Sequence, residues 1–355
     1  MQTDLTSRKH ENDMPEKPTV VLTTIQSPRS GIETWTGITD LPIIIVGDRK
    51  TPHDWAHPNC EFLSFDSTHR SAFALPEMLP ENHYARKNIG YLDAIKKGAS
   101  SILDTDDDNF PHPRLWNEIL ERTDGITYQS PNETFPVYRN VYSYFSQPEI
   151  PFWPRGFPLS ELLSPTSAFG LESLQVQTNE DRVAVWQGLV DQDPDIDAIH
   201  RLLYAKCPAF ENKPKLILGR NNLCPFNSQN TLWKLPVAFP LLYLPATVSF
   251  RFTDILRGYV AQIILHAHDL HLGFTRATAT QERNQHDIMK DFASETSMYL
   301  QTTEIVESLS SKVRSSCSIS ENLMISYEEL AKMKVTREDE MKMVESWLSD
   351  LQSLV

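Results

Sequence analysis

The stretch Ser101-Ile102-Leu103-Asp104-Thr105-Asp106-Asp107-Asp108-Asn109-Phe110 decides how the rest of the chain is read. Ile102-Leu103 has the apolar character of a buried strand, and the carboxylates fall where that strand leaves its sheet. In open α/β sheets, ligands bind outside the carboxyl ends of the strands. So many negative charges side by side repel one another unless a cation sits among them. Hard oxygen donors of this kind suit Mg²⁺ or Mn²⁺, an ion usually shared with substrate phosphates. An acidic turn or helix cap is the plainer alternative for such a loop.

The residues upstream supply the sheet. Pro18 to Ile25 reads as a first buried strand ending in hydroxyl side chains. Leu41 to Asp48 is a second, β-branched and continuous rather than alternating, as expected of a strand covered on both faces. Glu61 to Ser64 is a short third. Tyr84 to Lys97 carries Ile89, Leu92, Ala94 and Ile95 at helical spacing and stops at Gly98. Strands alternating with helices predict an α/β fold with a mostly parallel sheet flanked by helices.

Downstream the texture changes. Residues 124–157 are rich in Pro, Tyr and Phe, which suits a loop cover or an acceptor-side lobe. Trp116 to Glu121 is expected to belong to a helix. Val183 to Tyr204 should contain a helix led by Pro194-Asp195, with Asp193 or Asp195 as cap. The apolar, proline-broken window from Leu235 to Phe250 is expected to be buried strand and loop. Asp254 to His268 reads as one amphipathic helix with Ile255, Tyr259, Ile263 and Ile264 inward. The tail from Thr302 to Val355 is expected to form two or three helices packed on the domain or on a partner. The expected organisation is thus a disordered lead-in (1–17), a main domain (18–300, divided near 125 into a nucleotide half and an acceptor half) and a helical extension (301–355).

Composition narrows the function classes. With 355 residues the chain can bury a substantial core. A net charge of −14 leaves no basic stripe for nucleic acid, which is excluded as the main partner. The four cysteines lack CxxC spacing and point to neither zinc nor a disulfide framework. The polar first 17 residues lack a signal-peptide core, and no window spans a bilayer, so a cytoplasmic location is expected.

Several segments, in order, resemble a nucleotide-sugar glycosyltransferase of the GT-A fold. They are Ile45 to Pro52, Arg86 to Leu92, Asp104 to Asn109, Trp153 to Leu159 and Phe250 to Gln262. The chain resembles the glycosyltransferase-like domain of the STELLO family, and more distantly the UDP-arabinopyranose mutases. The resemblance covers roughly Pro18 to Leu300. It implies a DxD motif in Asp106-Asp107-Asp108 that holds Mn²⁺ or Mg²⁺ on a nucleotide diphosphate. Asp108 would be the ligand, with Asp106 serving the ion's water or the ribose. Asp104-Thr105-Asp106 has the same spacing, but Asp104, one strand step earlier, is expected to be structural, in contact with Arg86 or Lys87. A late histidine, His286, is the candidate further ligand. Thr23, Thr24 and Ile25 would meet the base, and Asp48 the base or ribose. Arg86, Lys87 and Asn88 begin a helix and are placed to contact uracil, ribose or phosphate. Asp107 completes the nucleotide-binding set.

The same resemblance implies that Asp254 acts as general base on an acceptor hydroxyl, an N-cap being the plain alternative. A single base without a nucleophile implies inversion. Arg251 and Arg257 are candidates for phosphate or an anionic acceptor. Trp153, Arg155 and Trp186 are candidates for an acceptor platform, and Asn227-Ser228-Gln229-Asn230 for the pocket lining. His266, His268 and His271 read as helix C-terminal cations and surface. The expected activity is sugar transfer from a nucleotide-sugar donor, a UDP-sugar, to a glycan or other hydroxyl acceptor. The alternatives are a UDP-sugar mutase of the arabinopyranose type and a non-catalytic scaffold of a glycan-synthesising complex. Partners beyond substrates would be a second copy or another protein at the C-terminal helices.

Overall fold

Continuous β-branched runs bury both faces of a strand, and that sets the centre of the molecule. The structure, a computed structural model, describes residues 17–354 apart from 29, 69–70, 122–125, 129–135, 147–149, 166–173, 176–179, 205–206 and 283–286. Strands β1 (Thr19–Thr24), β2 (Ile43–Gly47), β3 (Glu61–Leu63) and β4 (Ile102–Thr105) are all parallel, in the order β3-β2-β1-β4. Thr24 pairs with Gly47, so β1 and β2 end level at their carboxyl edge. The connections carry α1 (Ser30–Ile38), α2 (Phe65–Thr68), α3 (Leu75–Met78) and α4 (Lys87–Lys96). A 3₁₀ turn, Tyr84–Arg86, precedes α4, and Gly98 adopts φ +85° just past its end, a left-handed stop that favours glycine.

The strand β4 runs two residues beyond the apolar pair, so Asp104 lies inside the sheet with no exposed surface. Beyond the acidic loop, the short β5 (Asn109–Pro111) turns back. It is followed by β6 (Ile126–Tyr128), β7 (Val137–Tyr138), α5 (Val141–Phe145), β8 (Leu174–Gln175) and β9 (Val183–Asp191). Then come α6 (Ala198–Leu203), β10 (Leu216–Leu218), β11 (Asn222–Leu223) and β12 (Asn230–Trp233). The sheet continues from β4 through β12 and β9, and β12 is antiparallel to both. The long β13 (His271–Gln281) lies parallel to β9, and β10, β6 and β8 follow at the far edge, while β5 pairs with β13. The strands β7 and β11 form a separate parallel pair.

The helix α7 (Thr253–Ala267) is buried from Thr253 through His266, so it is a central helix rather than an amphipathic one. A helix apolar on most sides needs cover on most sides. Here α8 (Ile288–Lys312) and α9 (Ile319–Lys332) supply it, and α10 (Glu340–Gln352) closes the stack. The tail is indeed three helices, but the expected boundary at residue 300 falls inside α8. Trp347, Tyr327 and Leu309 are fully buried in the same core as Val21 and Leu92. Glu340 accepts from Ala246 N (2.9 Å), Thr247 N (2.7 Å) and the Tyr243 hydroxyl (2.6 Å). Asp350 accepts from the backbone N–H groups of Ala74 (3.0 Å) and Leu75 (2.9 Å). These helices are structural walls of the domain.

Other local expectations change for physical reasons. The window from Leu235 to Phe250 forms a 3₁₀ helix, Pro236–Leu242, because its prolines cannot serve a ladder. Trp116–Ile119 is a 3₁₀ turn. Asp197, not Asp193 or Asp195, caps α6 by accepting from His200 N at 2.8 Å. His266 is buried and its pKa is pushed down to about 3, while His271 lies within β13; neither is a surface cation. Among the described residues no helix is long and apolar enough to cross a membrane.

Candidate active site

The carboxyl ends of β1, β2 and β4 open onto a cavity of about 390 Å³ whose far wall is the start of α7. Thr23, Thr24, Ile25, Asp48 and Arg86 line one side, Asp106, Asp107 and Asp108 the floor, and Arg155, Asp195, Arg251 and Asp254 the other side.

A buried charge cluster positions the acidic loop from below. Lys87 Nζ lies 2.6 Å from Asp104 Oδ1 and 3.0 Å from Asp106 Oδ1, fully buried. Burial pulls the Lys87 pKa down, but the two carboxylates outweigh it and leave it raised. Arg257 Nη1 donates to Asp104 Oδ2 at 2.9 Å, and its Nη2 to Ser228 Oγ at 2.8 Å. The Tyr84 hydroxyl donates to Asp106 Oδ1 at 2.6 Å. Lys87 and Arg257 are therefore beneath the cavity rather than along its lining, each spent on an aspartate. Asn88 is likewise buried, exchanging two hydrogen bonds with the backbone of Leu244.

Above this layer, Thr24 Oγ1 donates to Asp107 Oδ2 at 2.6 Å, tying the end of β1 to the loop. Gln281 Nε2 donates to Asp108 Oδ2 at 3.0 Å, and Gln229 Nε2 donates to Gln281 Oε1 at 2.6 Å. Burial, together with Asp106 and Asp107, pushes the Asp108 carboxyl up to about 7. Asp108 thus occupies a spot short of positive charge. Asp48 is a turn organiser: it accepts from Arg49 N (2.7 Å) and His83 N (3.1 Å), with Arg86 Nε 3.6 Å away. Arg86 donates to Thr68 Oγ1 at 2.8 Å, while its buried Nη1 has no hydrogen-bond partner among the described residues.

On the opposite wall, Arg155 holds Asp254 in a two-pronged pair, Nη1 to Oδ1 at 3.1 Å and Nη2 to Oδ2 at 2.9 Å. Its Nε donates to Asp195 Oδ1 at 2.8 Å, and Nη1 also reaches the Arg251 carbonyl. Asp254 sits in the first turn of α7, but the N-cap position is Phe252, so capping does not account for it. Asp254 also accepts from Ser228 N at 3.3 Å. The Arg155 guanidinium outweighs burial and leaves the Asp195 carboxyl depressed. Arg155 is thus a fastener of carboxylates, whereas Arg251 lines the cavity while paired with Glu295 at 2.7 Å.

The expected tryptophan platform is absent from this cavity. Trp153 is 3% exposed and donates to Asp197 Oδ2 at 2.6 Å. Trp186 is 1% exposed, packed in the core with the Lys215 ammonium over its ring. His286 lies outside the described residues. Sequence reasoning gave no site role to Tyr84, Gln281 or Phe250, although Phe250 opens one of the family-like stretches, and it read Asp195 as a cap.

A divalent cation fits the acidic loop by donor chemistry. Hard carboxylate oxygens face the cavity and Asp108 sits in an uncompensated negative field. No group of three His, Cys, Asp or Glu that could hold a metal exists among the described residues. Further ligands would have to come from a bound substrate, the usual arrangement for Mg²⁺.

Four parallel strands in the order 3-2-1-4, an antiparallel strand beside the fourth and an acidic loop at its end make this a GT-A-type fold. Residues 251–355 match the family model described as STELLO glycosyltransferases. Two curated Arabidopsis thaliana proteins, named "Probable glycosyltransferase STELLO1" and "Probable glycosyltransferase STELLO2", are each 28% identical over 263 residues, covering 69% of this chain and 33% of theirs. The chain is thus similar to these proteins, and it spans about a third of their length. Two solved structures overlap it loosely. A mycobacterial protein has TM-score 0.40 and 11% identity, covering 81% of this chain and 73% of its own. The M. tuberculosis glucosyl-3-phosphoglycerate synthase has TM-score 0.39 and 10% identity, covering 81% and 79%. Overlap this loose supports no argument about shared chemistry.

Proposed function

We propose that this chain is a metal-dependent glycosyltransferase that takes a nucleotide-sugar donor, a UDP-sugar, and passes the sugar to a hydroxyl acceptor. The observation that carries this reading is one cavity with two distinct acidic centres on opposite walls: Asp106 to Asp108 at the end of β4, and Asp254 at the start of α7. The likeness to proteins named as probable glycosyltransferases supports it.

In this reading Thr23, Ile25 and Asp48 receive the nucleoside. Arg86, a lining residue whose buried Nη1 has no hydrogen-bond partner among the described residues, receives phosphate. Asp108, with Asp106 beside it, would hold Mn²⁺ or Mg²⁺, which when bound supplies Lewis-acid neutralisation of the departing diphosphate. Lys87 and Tyr84 fix Asp106 so that the loop is set before substrate arrives. Asp254, which lines the cavity and is held in place by Arg155, takes the acceptor's proton. With Asp254 as the single base, the reading is direct displacement with inversion at the sugar carbon.

The test is donor hydrolysis and transfer with Mn²⁺ present or chelated. Asp108→Ala should abolish metal-dependent UDP binding, and Asp254→Asn should keep that binding and lose transfer. UDP binding that survives Asp108→Ala and metal removal would overturn the assignment.

A further inference from the structure

Most residues lining the cavity are polar or charged, and one of its few large apolar residues is unusually exposed. Phe250 is 57% exposed, although Phe252, two residues on in the same turn, is 1% exposed. An aromatic ring exposed inside a cavity, beside hydrogen-bonding groups, offers a face on which a ligand can pack. Phe250 lines the cavity in the segment that leads into α7, four residues before Asp254. Its ring meets Tyr84 edge-on, with centroids 5.6 Å apart and planes at 64°. That contact steadies the ring while more than half of the residue's surface stays open. Tyr84 in turn donates to Asp106, so an aromatic pair joins the acidic loop to the Asp254 wall.

We propose that Phe250 is the stacking platform for the acceptor, receiving the apolar C–H face of a sugar ring and so presenting one hydroxyl to Asp254. The proposal rests on the glycosyltransferase reading and adds a substrate class, a saccharide acceptor. Sugar rings are polar at their rims and apolar on a face, so an aromatic plane beside hydrogen-bonding groups is the complementary surface. Asn227, Gln229 and Arg251, which share the cavity, supply such groups. The buried tryptophans cannot serve this purpose, whereas the exposed phenylalanine can. The nucleoside is an unsuited occupant, because it belongs on the β1 and β2 side with Ile25.

The experiment uses the full chain with UDP and Mn²⁺ and a panel of methyl β-glycosides of glucose, galactose, mannose and xylose disaccharides. Binding is read by saturation-transfer NMR, and UDP affinity by calorimetry. At least one glycoside should bind the wild type with saturation concentrated on the C–H protons of one ring face. Phe250→Ala should weaken it about five- to tenfold, and Phe250→Trp should retain it. UDP affinity should stay unchanged in both variants, which also reports that they are folded. If UDP binds but no glycoside does, or if glycoside binding ignores Phe250→Ala, the platform is overturned while the donor site stands. A loss of UDP affinity in Phe250→Ala would assign the ring to the nucleoside and also overturn it. Failure of UDP to bind the wild type would sink the donor reading and this inference together.

Discussion

Replacing Lys87 with methionine removes one charge from a balanced buried cluster while keeping the side chain's length and apolar stem. Asp104 and Asp106 are matched by Lys87 and Arg257, two against two, and the change leaves one uncompensated negative charge. Truncating one partner of a buried pair costs about 3–5 kcal/mol. Arg257 still satisfies Asp104, and the Asp106 side chain is 28% exposed, so the lower end applies, about 3 kcal/mol at neutral pH. The loss should carry a pH signature. Burial already raises the Asp106 pKa, with Lys87 and Tyr84 opposing the rise. Without Lys87 it rises further, so the folded state binds a proton more tightly than the unfolded state does. Stability is then recovered as pH falls through the folded-state pKa and lost as pH rises. Urea unfolding followed by tryptophan fluorescence at pH 5 and pH 7.5 measures both. The deficit should be larger at pH 7.5, and adding Asp106→Asn should cost less than the sum of the single changes. A deficit under about 1 kcal/mol, or one that grows on acidification, would refute the balanced-cluster argument.

Three other perturbations follow from the same geometry. Asp108 has its pKa raised to about 7, so its ionisation opposes folding, and its stabilising effect is lost as pH rises from the ordinary carboxylate range to about 7. In chelator, Asp108→Asn should therefore melt higher than wild type at pH 8, with the gap closing near pH 4; equal melting at pH 8 would contradict the account. Gly156 adopts φ +88°, and a Cβ there would lie 2.4 Å from Ile255 Cγ2. Gly156→Ala should cost about 2 kcal/mol or more in urea unfolding and displace the neighbouring Arg155. Trp347 is fully buried and donates to the Pro240 carbonyl at 2.9 Å, so Trp347→Ala should cost about 3–5 kcal/mol by the same assay. A near-neutral result would mean that α10 is not a wall of the core.

How much could be read beforehand follows from which interactions are local. The parallel half was legible because Ile43 to Val46 and Ile102-Leu103 are buried on both faces and say so in composition. The acidic loop was legible because a strand end followed by aspartates has few physical readings. The partners of those aspartates were legible only in part. Lys87 beside Asp104 was foreseeable, because α4 immediately precedes β4, but Arg257 looks like a ligand-binding cation in a linear reading and is instead spent on Asp104, a contact between β4 and α7 that no spacing encodes. Trp153 and Trp186 illustrate the converse, since aromatic type is shared by cores and sugar platforms and only burial separates them. The central helix α7 was misjudged because its polar positions, Arg257, Gln262 and His266, are buried too, under helices whose packing the sequence does not specify.

The central claim is that the loop after β4 holds a divalent ion against a nucleotide diphosphate. Crystals grown with UDP and Mn²⁺ and measured at the manganese absorption edge test it directly. The account predicts an anomalous peak between the Asp108 carboxylate and the diphosphate, with the uridine against Thr23 and Ile25. Ordered UDP elsewhere, or density for UDP in this cavity with no manganese at Asp108, would contradict it.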